Sequence, residues 1–168
     1  MKEIVVCVAA AMMVAACATE HPAPAQTKAP PPVVSAVTNT STVDAQIAGT
    51  PSQLLAAANQ VLVQSGFQIA SANTSAGVLT TAPRSVRLTP ADANCGASGG
   101  VNYLEDKRTS TTLAYDVTAT DGHVHIVAKM DGTYLPGNNV QSVKLSCVST
   151  GVLEQKLVQQ IEAVRRSS

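Results

Sequence analysis

Hydrophobic and polar residues follow three different patterns along this chain, and each pattern predicts a different kind of structure. Residues 4–16 form an unbroken apolar run, whereas residues 18–39 are rich in proline, alanine and threonine. From about residue 41 onward, apolar positions recur at every second residue, as in strands, or at every third and fourth residue, as in helices. The chain is therefore expected to contain a short apolar segment, an irregular connection and one folded domain.

Two helices are predicted in the folded region. The segment 50–53 reads Thr-Pro-Ser-Gln, which is a capping box with proline at the first helical position, and Gly66 is a stop signal after the apolar residues that follow. Ser149 or Thr150 is the expected N-cap of a C-terminal helix. The apolar stripe of that helix consists of Leu153, Leu157, Ile161 and Val164.

A long antiparallel hairpin is the clearest strand signal. Asp121 and Gly122 are a preferred pair for a two-residue turn, and folding the chain there places Val117 opposite Ile126. Such a hairpin has one apolar face and one polar face, because successive side chains of a strand point to opposite sides. Shorter strands are predicted at 43–47, 67–71, 78–81, 86–88 and 143–147, with a polar loop at 89–100 and a turn at 131–132.

The order of these elements defines the expected fold class. A strand, a helix, several antiparallel strands and a last helix predict an α+β domain, with both helices packed on one face of an antiparallel meander. Gly66-Phe67 after the first helix, the Gly-Val-Leu-Thr of residues 77–80 and the helix 152–166 resemble the helix-grip type of domain in bacterial envelope lipoproteins. One such lipoprotein is a subunit of the outer-membrane β-barrel assembly machine. The resemblance implies the fold and carries over no functional residue.

The apolar run is too short to be a permanent membrane span. Thirteen residues, 4–16, extend only about 20 Å as a helix, whereas a hydrocarbon core is roughly 30 Å thick. The run is therefore read as the apolar part of a signal sequence. An ordinary secretory signal, cut nearer Ala23 or Ala25, is one interpretation.

The end of the run supports a more specific interpretation. The residues Val-Ala-Ala-Cys at 14–17 resemble the lipobox of bacterial lipoproteins. The resemblance implies cleavage before Cys17, acylation of its thiol, and an outer-membrane location because Ala18 follows. The predicted organisation is a signal peptide at 1–16, a lipidated cysteine with a disordered proline-rich tether at 17–40, and a small α+β domain at 41–168.

Composition excludes one class of partner. Eleven basic and eleven acidic residues give a formal net charge of zero, so the chain lacks the basic surface expected of nucleic-acid-binding proteins. Aromatic residues make up 2% of the chain and tryptophan is absent, which leaves few platforms for stacking bases. We expect no nucleic-acid partner.

Two cysteines, Cys95 and Cys147, lie in the predicted domain. An even pair without a Cys-x-x-Cys motif, in an exported protein, is expected to form a structural disulfide. Two free thiols, or half of a metal site, are the alternatives.

Two further motifs contain residue types that can bind a metal or act as a hydrolase nucleophile. His123 and His125 point to the same face of a strand, where Asp116 or Asp121 could be a third metal ligand, although polar surface histidines are the simpler interpretation. Ser98 lies in a Gly-x-Ser-x-Gly sequence, but a hydrolase nucleophile needs a strand-to-helix turn and a histidine base. We therefore predict no catalytic residues, no metal and no cofactor.

The expected function is non-enzymatic. The anchor and tether predict an outer-membrane lipoprotein whose domain faces the periplasm and acts as an interaction or assembly module with another envelope protein. The alternative is a carrier that holds an apolar ligand between the sheet and the C-terminal helix.

Overall fold

The computed structural model describes residues 41–137 and 141–167 of the chain. The helices are α1 (Pro51–Gln64) and α2 (Val152–Ser167). The strands are β1 (Thr42–Gln46), β2 (Ile69–Asn73), β3 (Val78–Thr81), β4 (Arg84–Val86), β5 (Ala93–Asn94), β6 (Ala97–Ser98), β7 (Val101–Asn102), β8 (Thr109–Thr120), β9 (His123–Tyr134), β10 (Val143–Ser146) and β11 (Val148–Ser149). The predicted signal peptide and tether lie outside the described residues.

The β8–β9 hairpin is the centre of the main sheet. The two strands pair along their full length in the predicted register, with Val117 opposite Ile126 and Asp121-Gly122 in the turn. The sheet order is β1-β9-β8-β3-β2, with all neighbours antiparallel. Strand β10 continues the edge of β9 beyond β1, and β4 continues the edge of β8 beyond β3.

Helix α1 begins at the predicted capping box. The Thr50 hydroxyl accepts a hydrogen bond from the Gln53 amide at 3.4 Å, and the Gln53 side chain accepts one from the Thr50 amide at 3.1 Å. Pro51 occupies the first turn, where its missing N–H costs nothing. After the helix, Gly66 has φ +81°, a left-handed conformation that favours glycine. The local sequence alone therefore sets both ends of α1.

Both helices cover the same face of the sheet, as predicted for this α+β fold. Helix α1 contacts β8, α2 contacts β9 and β1, and the two helices contact each other. The core that they enclose includes side chains with no exposed surface: Leu54, Ala58, Val117, Ile126 and Ile161. Burial of this apolar surface is the main stabilising contribution to the domain.

The predicted turn at Asp131-Gly132 is wrong, because both residues lie within β9. Gly132 is opposite Thr111 on one side and Leu145 on the other. A Cβ atom at Gly132 would lie 3.1 Å from the Leu145 Cβ atom and 3.3 Å from the Cys147 sulfur. The absence of a side chain at this position therefore allows close packing against β10. An Asp-Gly pair is also typical of a turn, so the local sequence predicted the wrong structure here.

The segment 89–100 is not the simple loop that its polar composition predicts. Strand β5 pairs with β11, and β6 pairs with β7 through a turn at Gly99 and Gly100, which both have positive φ. Two-residue strands have too few apolar positions to produce a periodic signal. The strand predicted at 143–147 likewise divides at Cys147 into β10 and β11.

Candidate functional site

Cys95 and Cys147 form a disulfide in the structure. Cys95 follows β5, and Cys147 lies between β10 and β11, so the bond fastens the small β5–β11 sheet to the edge of the main sheet. Both cysteines are buried. The bond closes a chain segment with a sequence separation of 52 residues, which suits a structural role.

The Gly-x-Ser-x-Gly sequence around Ser98 forms a tight hairpin. Ser98 is the last residue of β6 and pairs with Val101, and Gly99 and Gly100 make the turn between them. A nucleophile elbow requires a turn from a buried strand into a helix, whereas Ser98 is exposed and its turn leads into strand β7. The glycines thus serve a turn with two positive φ angles.

The two histidines of β9 occupy its solvent-facing side. The His125 Nδ1 atom lies 2.6 Å from an Asp44 carboxylate oxygen, and His123 is opposite Thr120. Asp116, one proposed third ligand, forms an ion pair with Lys129 instead. Within residues 41–137 and 141–167, no three His, Cys, Asp or Glu side chains are arranged to hold a metal ion.

A cavity of about 220 Å³ lies between the sheet and α2. Its apolar wall includes Phe67, Leu113 and Leu157, and the edge of the Phe67 ring packs against Tyr115 with 5.2 Å between ring centroids. Charged and polar residues also line the cavity: Arg84, Arg87, Asp92, Lys156 and Gln160. This combination of an apolar wall and a few polar groups is typical of small-molecule sites.

Burial controls the chemistry of Tyr115, which lines the cavity. Removal from solvent raises the pKa of its hydroxyl well above the ordinary value of 10.0, and the negative charges of Glu154 and Asp92 raise it further. The hydroxyl therefore keeps its proton at physiological pH. A protonated hydroxyl can donate a hydrogen bond to a bound group.

Glu154 is a buried carboxylate that the sequence analysis missed. It has no exposed surface, and one carboxylate oxygen accepts a 2.8 Å hydrogen bond from the Ser149 hydroxyl. The other oxygen has no hydrogen-bond partner among the described residues. Its position three residues before Leu157 and seven before Ile161 places it on the buried face of α2, which is a signal the helical spacing contains.

Comparisons with known proteins give a limited result. Neither the protein-family models nor the curated proteins include a match to this chain. Among solved structures, the chain is similar to a TBP-like protein from Parabacteroides distasonis, with 16% identity, a TM-score of 0.43 and coverage of 64% of both chains. It is also similar to a DUF4468 family protein from Bacteroides ovatus, with 15% identity, a TM-score of 0.40, and coverage of 62% of this chain and 59% of the other.

In each case the chain spans less than two thirds of the length of the solved structure that it matches. Neither of the two helices in the described part of the chain has the length and apolar character needed to cross a bilayer.

Proposed function

We propose that this chain is an outer-membrane-anchored lipoprotein whose domain is a non-enzymatic interaction or assembly module of the cell envelope. The lipobox ending at Cys17 supports the anchor, and the proline-rich residues 18–39 support a tether that holds the domain in the periplasm. The interaction role is supported by the face of the main sheet that lies opposite the two helices.

That face is not covered by any element among the described residues. Apart from Ala114 and Val127, the outward side chains of β8 and β9 are polar. They form cross-strand pairs such as Lys129 with Asp116, while His125 pairs with Asp44 of β1. The seven strands of the sheet, of which only β8 and β9 have twelve residues, give this face an area of about 700 Å² at about 3.3 Å per residue and about 4.8 Å between strands. One partner contributes about 800 Å² to a standard protein interface, so the face is of comparable size.

The anchor is tested with a Cys17→Ser variant. We expect the native chain to partition into detergent and to carry an acylated N-terminal cysteine in mass spectra, and the variant to lack the acyl groups. Cys7→Ser is the matched control, because Cys7 lies in the predicted signal peptide and is expected to have no effect. A native chain with a free, unacylated N-terminus would contradict the proposal.

The interaction role is tested by site-specific photocrosslinking in the intact envelope. A photoreactive residue at Thr118, on the uncovered face, is expected to form one dominant crosslink to an envelope protein. The same residue at Gln60, which is exposed on α1, is the matched control and should not form that crosslink. Equal crosslinking from both positions would contradict a docking role for the sheet face.

The cavity favours a second candidate function, which is a carrier or binding module for an apolar ligand. It lies between the sheet and α2, with Phe67 and Leu157 in its wall. Native mass spectrometry of the chain released from membranes is expected to show a co-purified small apolar molecule. Gln160→Trp, at an exposed position lining the cavity, should fill the space and remove that molecule.

A further inference from the structure

The charges around the cavity are unbalanced, although the chain as a whole is neutral. Arg84, Arg87 and Lys156 line it, whereas Asp92 is the only carboxylate in its lining among the residues that the structure describes. Two of these cations come from one short stretch before β8, and the third comes from the first half of α2. The tertiary structure therefore brings Lys156 into the same cavity as Arg84 and Arg87, from which it is distant in the sequence.

Internal contacts hold the two arginines in place without neutralising them. Arg84 donates to the Ser65 carbonyl, and its guanidinium carbon lies 5.3 Å from the centroid of the Phe67 ring. Arg87 donates to the carbonyl oxygens of Leu104 and Thr109 at 3.0 and 3.1 Å. Carbonyl groups and aromatic rings carry no net charge, so both guanidinium groups keep theirs.

Asp92 and Lys156, the other two charged residues of the lining, differ in whether a neighbouring residue already binds them. Asp92 already accepts hydrogen bonds from the amide and the hydroxyl of Thr89, at 2.8 and 2.7 Å. Lys156 is exposed on α2, and among the described residues it forms no ion pair. The amide and the hydroxyl of Thr89 are neutral, so Asp92 also keeps its charge. The lining thus has three positive charges against one negative charge, which favours an anionic ligand group.

The size of the cavity limits the apolar part of such a ligand. Its volume of about 220 Å³ is smaller than the roughly 300–1,000 Å³ typical of sites for drug-sized molecules. At about 30 Å³ for each water-sized group, the space holds roughly seven such groups. A sterol or a full-length acyl chain would not be enclosed.

We propose that the cavity binds a short-chain amphipathic carboxylate of about eight carbons. The alkyl chain lies against Phe67, Leu113 and Leu157, and the carboxylate lies between Arg84 and Lys156. The inference rests on the second candidate function, a carrier for an apolar ligand, and adds the anionic group to it.

The test uses the full chain reconstituted in nanodiscs of uncharged lipid, with radiolabelled octanoate in equilibrium dialysis. Binding to empty nanodiscs is subtracted, and octan-1-ol is measured as the neutral ligand of similar length. We expect saturable octanoate binding that weakens as salt is added, and octan-1-ol binding at least about fivefold weaker.

Variants of the full chain locate the site. Lys156→Gln, on the exposed surface, is expected to weaken octanoate binding about twofold to fivefold, and Gln160→Trp should abolish it. Lys144→Gln is the matched control, because Lys144 contacts Thr133 on the opposite face of the sheet and should leave binding unchanged. Circular dichroism verifies that each variant is folded.

The outcomes separate this inference from the function on which it rests. Equal affinity for octan-1-ol and octanoate would overturn the anionic preference and leave the apolar carrier intact. Absence of saturable binding by either ligand would overturn both. Octanoate binding that is insensitive to Lys156→Gln and Gln160→Trp would overturn the assignment of the ligand to this cavity.

Discussion

The β8–β9 hairpin and the preceding stretch 87–108, which we call the Cys95 segment, are stabilised in different ways. The hairpin pairs two twelve-residue strands along their full length, and its inward side chains form the centre of the core. The Cys95 segment contains three two-residue strands and buries only a few apolar side chains, such as Leu88 and Leu104. It depends also on the disulfide, on hydrogen bonds from Arg87 and on hydrogen-bonded turns.

This difference predicts how each region responds to change. Stability in the hairpin is spread over many packed side chains, so loss of one large side chain weakens the whole domain. In the Cys95 segment a few separate contacts hold a polar backbone in place. Their loss should release the segment locally, except for the disulfide, which also restricts the unfolded chain.

Removal of the disulfide has the largest expected effect. The paired substitution Cys95→Ala and Cys147→Ala should lower the free energy of unfolding by about 4 kcal/mol, because the loop of about fifty residues is no longer closed in the unfolded state. Chemical denaturation followed by circular dichroism measures the change. Hydrogen exchange should increase in the hairpin as well, because global unfolding becomes easier, and the Cys95 segment should exchange faster than the hairpin. Equal exchange rates in the two regions would contradict the comparison.

Truncation of the hairpin core should have the next largest effect. Ile126 has no exposed surface, so Ile126→Ala is expected to cost about 3 kcal/mol by leaving a cavity. Val127→Ala, one residue further and on the outward side, is the matched control and should cost less than about 1 kcal/mol. Similar losses in the two variants, measured by urea unfolding, would show that the faces are not energetically distinct.

A smaller and more local effect is expected at Arg87. Arg87→Ala removes donors to the carbonyls of Leu104, Asp106 and Thr109, and should cost about 1 kcal/mol. Arg87→Lys should be nearly as destabilising, because an ammonium group lacks the planar fork of donors. Faster hydrogen exchange confined to the Cys95 segment is the expected readout, and exposed Lys107→Ala is the control without an effect.

The smallest effect concerns pH at the end of the same segment. Hydrogen bonds from the Arg108 guanidinium, at 2.6 to 3.2 Å, hold the pKa of Asp106 at about 2, below its ordinary value of 3.8. As pH falls, the unfolded state therefore binds the proton first. The contribution is fully present above about pH 4 and is lost as pH falls through 2.

The measurement compares unfolding midpoints of the native chain and Asp106→Asn at pH 7 and at pH 2. The native chain should be more stable than the variant at pH 7, and the difference should be much smaller at pH 2, where about half of the Asp106 carboxylates are protonated in the folded state. Asp131→Asn, at an exposed position in the hairpin, is a control for general charge effects. A difference as large at pH 2 as at pH 7 would contradict the linkage.

Features of the chain that depend on residues close together in the sequence could be predicted from the sequence. The capping box at residues 50–53 and the Asp121-Gly122 turn each combine local geometry with local hydrogen bonding, and the alternation around Val117 specifies the hairpin register. The predicted disulfide partners, Cys95 and Cys147, are joined in the structure. The lipid anchor at Cys17 remains a prediction, because it lies outside the described residues.

Features that depend on packing could not be predicted in the same way. Gly132 resembles a turn residue locally, yet its role is set by Leu145 and Cys147 on the adjacent strand and beyond. Likewise, no local pattern pairs Arg84 with Lys156, which are 72 positions apart and line one cavity.

The sequence by itself therefore determined the two helices, the turn and register of the hairpin and the α+β class, since periodicity and turn chemistry act over a few residues. Only the tertiary structure decided where the cavity lies and which charges surround it. Those properties arise where segments that are distant in the sequence pack together and exclude water. Their energies therefore depend on neighbours that lie outside any short stretch of sequence.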